Sequence, residues 1–105
     1  MADELVVFVT CTACEAEKLA QTVVEEHLAA CVNILPAVKS VYIYEGKLCN
    51  EDETLLIMKT VRHKFSKLSK RIQALHSYQV PEIISVAIEL GNSAYLKWLD
   101  QAVKG

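Results

Sequence analysis

The chain is expected to be an α+β domain whose elements run strand, helix, strand, strand, helix, strand, with one further helix at the end. Two segments carry apolar residues at helical spacing, and apolar runs of strand length flank each of them. Two strand-like segments follow one another between the helices, which calls for a hairpin. The 105 residues are 52% hydrophobic, with only three Gly and two Pro. That composition suits one core without linkers, a single domain over residues 1–105.

Leu5 to Val9 is continuously apolar, as in a strand covered on both faces. Ala16, Leu19, Ala20, Val23, Val24 and Leu28 then fall on one face of a helix, with Glu15, Glu17, Lys18, Gln21, Glu25 and Glu26 between them. Glu15 and Glu17 suit the positive end of its dipole. Cys31 to Tyr44 is rich in β-formers, and Pro36, which cannot donate to a ladder, marks a bulge or an edge. Glu45-Gly46-Lys47 reads as a turn, Asn50 to Glu53 as a polar stretch, and Glu53 to Val61 as the next strand. Phe65, Leu68, Ile72 and Leu75 define the second helix. Ile83 to Leu90 is the last strand, and Ser93 is expected to cap a short helix carrying Tyr95, Leu96, Trp98 and Leu99. This order is the ferredoxin-like split βαβ arrangement, an antiparallel sheet with helices on one face.

The central hairpin is too long for the domain. Fourteen residues from Cys31 to Tyr44 would extend roughly 46 Å at ~3.3 Å each. A globule of this length is roughly 33 Å across, from a gyration radius of about 13 Å. The tip should therefore project, yet it reads Val41-Tyr42-Ile43-Tyr44. An apolar arm with free edges is expected to dock on neighbouring subunits.

A formal charge of −2 gives no support for nucleic-acid binding, and no segment is long enough for a membrane span. The acidic start, Met1 to Glu4, lacks the basic beginning of a secretion leader, so a cytoplasmic location with four reduced cysteines is expected.

Candidate chemistry concentrates at Cys11-Thr-Ala-Cys14, where the first strand hands over to the first helix. Two thiols at this spacing reach one soft cation, and a helix N-terminus favours thiolate. One such pair does not encode a four-thiolate zinc site. His76, after the second helix, could add a nitrogen donor. Cys11 paired with His76 would also suit a thiolate–imidazolium nucleophile, though no oxyanion-hole motif accompanies it. Lys59, within an apolar strand, needs a partner, a route to the sheet edge or a bound anion. Lys59, Arg62 and Glu82 would read a small anion in a ligand-sensing module, but no glycine-rich phosphate loop is present.

Thr10-Cys11, Leu28-Ala-Ala-Cys-Val-Asn-Ile34, Ser40-Val-Tyr-Ile-Tyr-Glu-Gly-Lys47, Leu56-Ile-Met-Lys-Thr60, His76-Ser-Tyr-Gln-Val-Pro-Glu-Ile83 and Tyr95-Leu-Lys-Trp98 appear in order along nearly the whole chain. In these motifs the chain resembles the CutA divalent-cation tolerance family. The resemblance implies a ferredoxin-like homotrimer, architecturally related to PII-type signal proteins, that answers to copper or other divalent metals and is not an enzyme. It implies metal ligands at Cys11 and His76 and an inter-subunit cleft at Lys59, Tyr78, Glu82 and Trp98; Cys14, where the family more often has a residue without a thiol, could supply a further donor. The chain departs from copper-binding relatives at Leu75, where they carry a second His, and at Ser77, where Pro is usual.

Overall fold

The computed structural model describes residues 3–105, so Met1 and Ala2 of the acidic start lie outside it. The elements are β1 (Glu4–Cys11), α1 (Ala13–Glu25), β2 (Cys31–Tyr44), β3 (Lys47–Val61), α2 (Phe65–Leu75), β4 (Ile83–Ala87) and α3 (Ser93–Ala102). A 3-10 turn at Arg62–Lys64 leads into α2. The four strands form one sheet in the order β2-β3-β1-β4, with every neighbouring pair antiparallel.

Alternation along the strands decides where the core sits. Leu5, Val7, Val9 and Cys11 on β1 and Leu56 and Met58 on β3 point to the helices. There they meet Ala16, Leu19 and Val23 of α1 and Leu68 and Ile72 of α2. A smaller cluster seats α3, through Leu99 and Val103, against Val61 and Ala30. The other sheet face is only partly covered: Ile84 and Val86 of β4 are exposed beside Phe8 and Val6 of β1.

Three elements depart from expectation. β3 takes in Asn50 to Glu53, because β2 pairs Ser40 with Glu51 and Lys39 with Asp52. Ladder hydrogen bonds and the exposed Lys39–Asp52 ion pair, 2.9 Å long, outweigh weak strand propensity. β4 ends at Ala87 because β1 begins at Glu4: the Ile88 N–H still donates to the Glu4 carbonyl at 3.0 Å, and no strand residue follows to continue the ladder. Asn92, not Ser93, caps α3: its Oδ1 accepts the Tyr95 N–H at 3.0 Å, three residues on.

The hairpin projects. The molecule measures 44 × 25 × 22 Å. Its surface of 6816 Å² exceeds the ~5,900 Å² expected of a compact monomer of this mass. Val41, Ile43 and Leu48 near the tip are 63%, 73% and 75% exposed. Glu45 and Gly46 both have positive φ, which closes a two-residue turn that keeps Tyr44 opposite Lys47. Between Leu35 and Val38 the register shifts as Pro36 and the left-handed Ala37 introduce one extra residue, so the edge strand β2 carries the bulge that Pro36 signalled.

Candidate functional site

The end of β1, the first turn of α1 and the segment after α2 meet at one place. Thr12 opens α1, and Glu15 reaches back to it: Glu15 Oε2 accepts the Thr12 N–H at 3.0 Å and the Thr12 hydroxyl at 2.8 Å. The same carboxylate receives Ser77, whose N–H donates to Oε1 at 3.0 Å and whose hydroxyl donates to Oε2 at 2.7 Å. Burial alone would raise this carboxyl, but four donors overrule it and hold Glu15 at about 2. Its sequence position suggested only a dipole contact, because the Ser77 donors lie 62 residues away.

His76 is buried beside this clamp. Its Nε2 lies 2.8 Å from the Thr10 carbonyl, which only accepts, and its Nδ1 accepts the Tyr78 N–H at 3.0 Å. Both ring nitrogens are thus engaged, as in the Nε2–H tautomer. His76 therefore comes to the residue before Cys11 without aiming a free nitrogen at a thiol. The Cys11 side chain is fully buried in the core. Burial, with Glu15 and Glu53 adding repulsion, pushes its thiol up to about 11, which removes the thiolate that a nucleophile needs. Cys14 is exposed, with Sγ 3.4 Å from the Thr12 hydroxyl. Among the described residues no three His, Cys, Asp or Glu side chains are grouped to hold a metal ion.

Next to His76, the loop after α2 and the outer half of the hairpin flank an open groove of about 710 Å³. Tyr78, Glu82, Glu53, Tyr42 and Tyr44 line it. Glu53 is 8% exposed, and its Oε2 accepts the Tyr78 hydroxyl at 2.7 Å. Burial first, then this bond, drives the Tyr78 phenol well above its usual range. Tyr78 also packs on the His76 ring, with centroids 4.7 Å apart. Lys59 and Trp98 lie outside this lining: Lys59 Nζ donates to Asn33 Oδ1 on β2, and Trp98 stacks obliquely on Tyr95 at 5.5 Å. With two carboxylates and no basic residue in the lining, the small-anion reading is not favoured.

A family model described as CutA1 divalent ion tolerance protein matches residues 5–102. The chain belongs to the CutA1 family. It is 49% identical over 84 residues to the divalent-cation tolerance protein CutA of Thermus thermophilus, covering 80% of this chain and 82% of that one. It is 45% identical over 101 residues to the chloroplastic CutA of Arabidopsis thaliana, covering 95% of this chain but 56% of the plant protein. Among solved structures, the divalent cation tolerance protein of Thermus thermophilus superposes with a TM-score of 0.92 at 45% identity, over 94% of this chain and 97% of that one. CutA of Xylella fastidiosa gives 0.95 at 35% identity, over 98% and 100%. The CutA of Archaeoglobus fulgidus, described as periplasmic, gives 0.92 at 37% identity, over 96% and 99%. Locations named for CutA1 relatives are thus chloroplastic and periplasmic, which does not bear out the cytoplasmic expectation. Among the described residues no helix is long and apolar enough to cross a membrane.

Proposed function

We propose that three copies of this chain form a ferredoxin-like homotrimer that serves tolerance of divalent or soft metal ions without catalysing a reaction, with copper the preferred metal. The observation that carries this reading is the approach of His76 to the Thr10 carbonyl, 2.8 Å away, which brings an imidazole to the end of β1 where Cys11 and Cys14 flank the start of α1. Thiols and imidazole suit copper better than hard cations. Cys14 is the exposed donor; His76 joins by exchanging the Tyr78 N–H for metal at Nδ1, and Cys11 by releasing its thiol proton to solvent as its sulfur binds the metal. All four cysteines are free, in keeping with a reducing, cytoplasmic setting. The exposed apolar hairpin supports assembly, because Val41, Ile43 and Leu48 find no cover within their own chain.

Copper titration of the reduced protein tests the site. Affinity should fall in Cys14→Ser and further in the Cys11→Ser, His76→Ala double variant, and unchanged affinity in the double variant rejects the ligand assignment. Light scattering tests assembly, with a mass three times the 11.7 kDa of one chain as the expected result.

A further inference from the structure

From the charge on the outer face of α2 we infer a docking surface for a short acidic segment of a partner protein. This inference goes beyond the metal reading and does not depend on it.

Charge is segregated along the chain. Between Thr54 and Pro81 there is no Asp or Glu, although the chain carries thirteen of them. Five of its eleven Lys and Arg fall at Arg62, Lys64, Lys67, Lys70 and Arg71. The fold does little to neutralise these five. Among the described residues only Arg71 meets a carboxylate, that of Glu26 at 2.9 Å. Asp3 approaches Arg62 through the backbone, its carbonyl accepting the Arg62 N–H at 2.7 Å, and its carboxylate makes no ion pair there. Leu68 and Ile72 hold the opposite side of α2 in the core, so helical spacing turns Lys67 and Lys70 outward. Both are exposed, as are Arg62 and His63 before them.

This placement works against the helix that carries it. Arg62, His63 and Lys64 lead into α2, whose first turn holds no acid, so they oppose its dipole. α1 does the reverse, with Glu15 in its first turn. Lys64, Lys67 and Lys70 then follow at every third residue, and Arg71 lies one turn beyond Lys67, which sets like charges side by side. A bound acidic segment relieves both conflicts.

The surface also selects among polyanions. α2 exposes no large apolar residue, so it lacks the anchors with which a basic helix enters a membrane and the rings on which bases stack. The rest of the chain carries thirteen Asp and Glu against six Lys and Arg, so a long polyanion meets repulsion once it leaves the patch. A short one does not: Arg62 to Arg71 spans about 15 Å at ~1.5 Å per residue, which about five extended residues match. α2 lies on the helical side of the sheet, so assembly through the hairpin and the other sheet face leaves this surface free.

The test is a nitrogen-15 NMR titration of the wild-type protein in its native assembly, treated with chelator. Salt is held at about 0.1 M, where screening confines charge effects to about 10 Å. Hexaglutamate, dodecathymidylate and vesicles of phosphatidylcholine with phosphatidylserine are the probes. Hexaglutamate should shift the amides from Arg62 to Arg71 and bind more tightly than the other two. Lys67→Gln combined with Lys70→Gln should weaken it about fivefold, the size expected of two exposed ion pairs. The same variant should hold or raise Tm, because it removes like-charge neighbours, so the loss is not one of folding. Lys97→Gln combined with Lys104→Gln removes equal charge in and just after α3, and should leave affinity within about a factor of two. No shifts with hexaglutamate, shifts centred outside α2, equal loss in both double variants, or tighter binding of the thymidylate or the vesicles would each overturn the inference.

Discussion

The carboxylate of Glu15 clasps Ser77 twice, at Oε1 through the backbone N–H (3.0 Å) and at Oε2 through the hydroxyl (2.7 Å). Two segments 62 residues apart are thereby tied at the point where β1 becomes α1. Ser77→Ala keeps the backbone donor and loses the hydroxyl, and should cost about 1 kcal/mol at neutral pH, read from denaturant unfolding.

Acid stability follows from the same clasp. Glu15 titrates at about 2 in the folded chain, against an ordinary value of 4.5. A depressed carboxyl adds stability that is complete above the unfolded value and drains away as pH falls toward the folded one. Wild type should therefore lose stability between about pH 4.5 and 2. Glu15→Gln should start lower and show a flatter decline over that window in Tm measurements. Parallel curves would show that other carboxylates govern acid unfolding.

The two thiols of the Cys11-Thr-Ala-Cys14 segment should behave oppositely toward an alkylating reagent. Cys14 is exposed, whereas Cys11 is fully buried with its thiol raised to about 11. Peptide mapping after brief iodoacetamide treatment at pH 8 should find Cys14 modified and Cys11 protected until the chain unfolds. Early modification of Cys11 would contradict the core placement.

Asp100 Oδ1 is buried without a hydrogen-bond partner, and burial followed by the Asp100 carboxyl raises Glu4 above its usual range. A raised carboxyl weakens the fold at neutral pH and ceases to do so below its unfolded value of 4.5. Asp100→Asn removes one charge and supplies a donor, so Tm at pH 7 should rise by a few degrees, with the gain vanishing near pH 4. A lower Tm at pH 7 would show that Asp100 serves α3 in another way.

Ile43 and Leu48 face each other across the ribbon, and both are largely exposed. Replacing both with Asp should convert the proposed trimer to monomers in light scattering while leaving the far-ultraviolet spectrum intact, since neither residue belongs to the core. A trimer that survives both charges would place the subunit contacts elsewhere.

Regular patterns were readable in the residues wherever a single local preference decided the outcome. Apolar spacing located α1 and α2, and the projecting hairpin followed from strand length against domain size. Pairing with a distant strand was not readable: Asn50 to Glu53 looks like a loop until β2 lies beside it. Asn92 and Ser93 are both good caps, and only the path of the chain decides between them. The metal candidates Cys11, Cys14 and His76 were selected by chemistry, but spacing could not reveal that Tyr78 and Thr10 occupy both nitrogens of His76. Glu53 gave no signal within an acidic run, because its burial depends on Tyr78 from 25 residues away.

The extra residue at Pro36-Ala37 interrupts the outer edge of the ribbon without deciding how its tip is dressed. Tyr44 stays opposite Lys47, and the neighbouring strand runs without a bulge from there to Glu53, so alternation keeps Tyr42 and Tyr44 on the Glu53 side and Val41 and Ile43 on the other. Deleting Ala37 would bring Pro36 opposite Thr54 and leave both rows in place, turning a kinked border into a longer, straighter template for a stray strand.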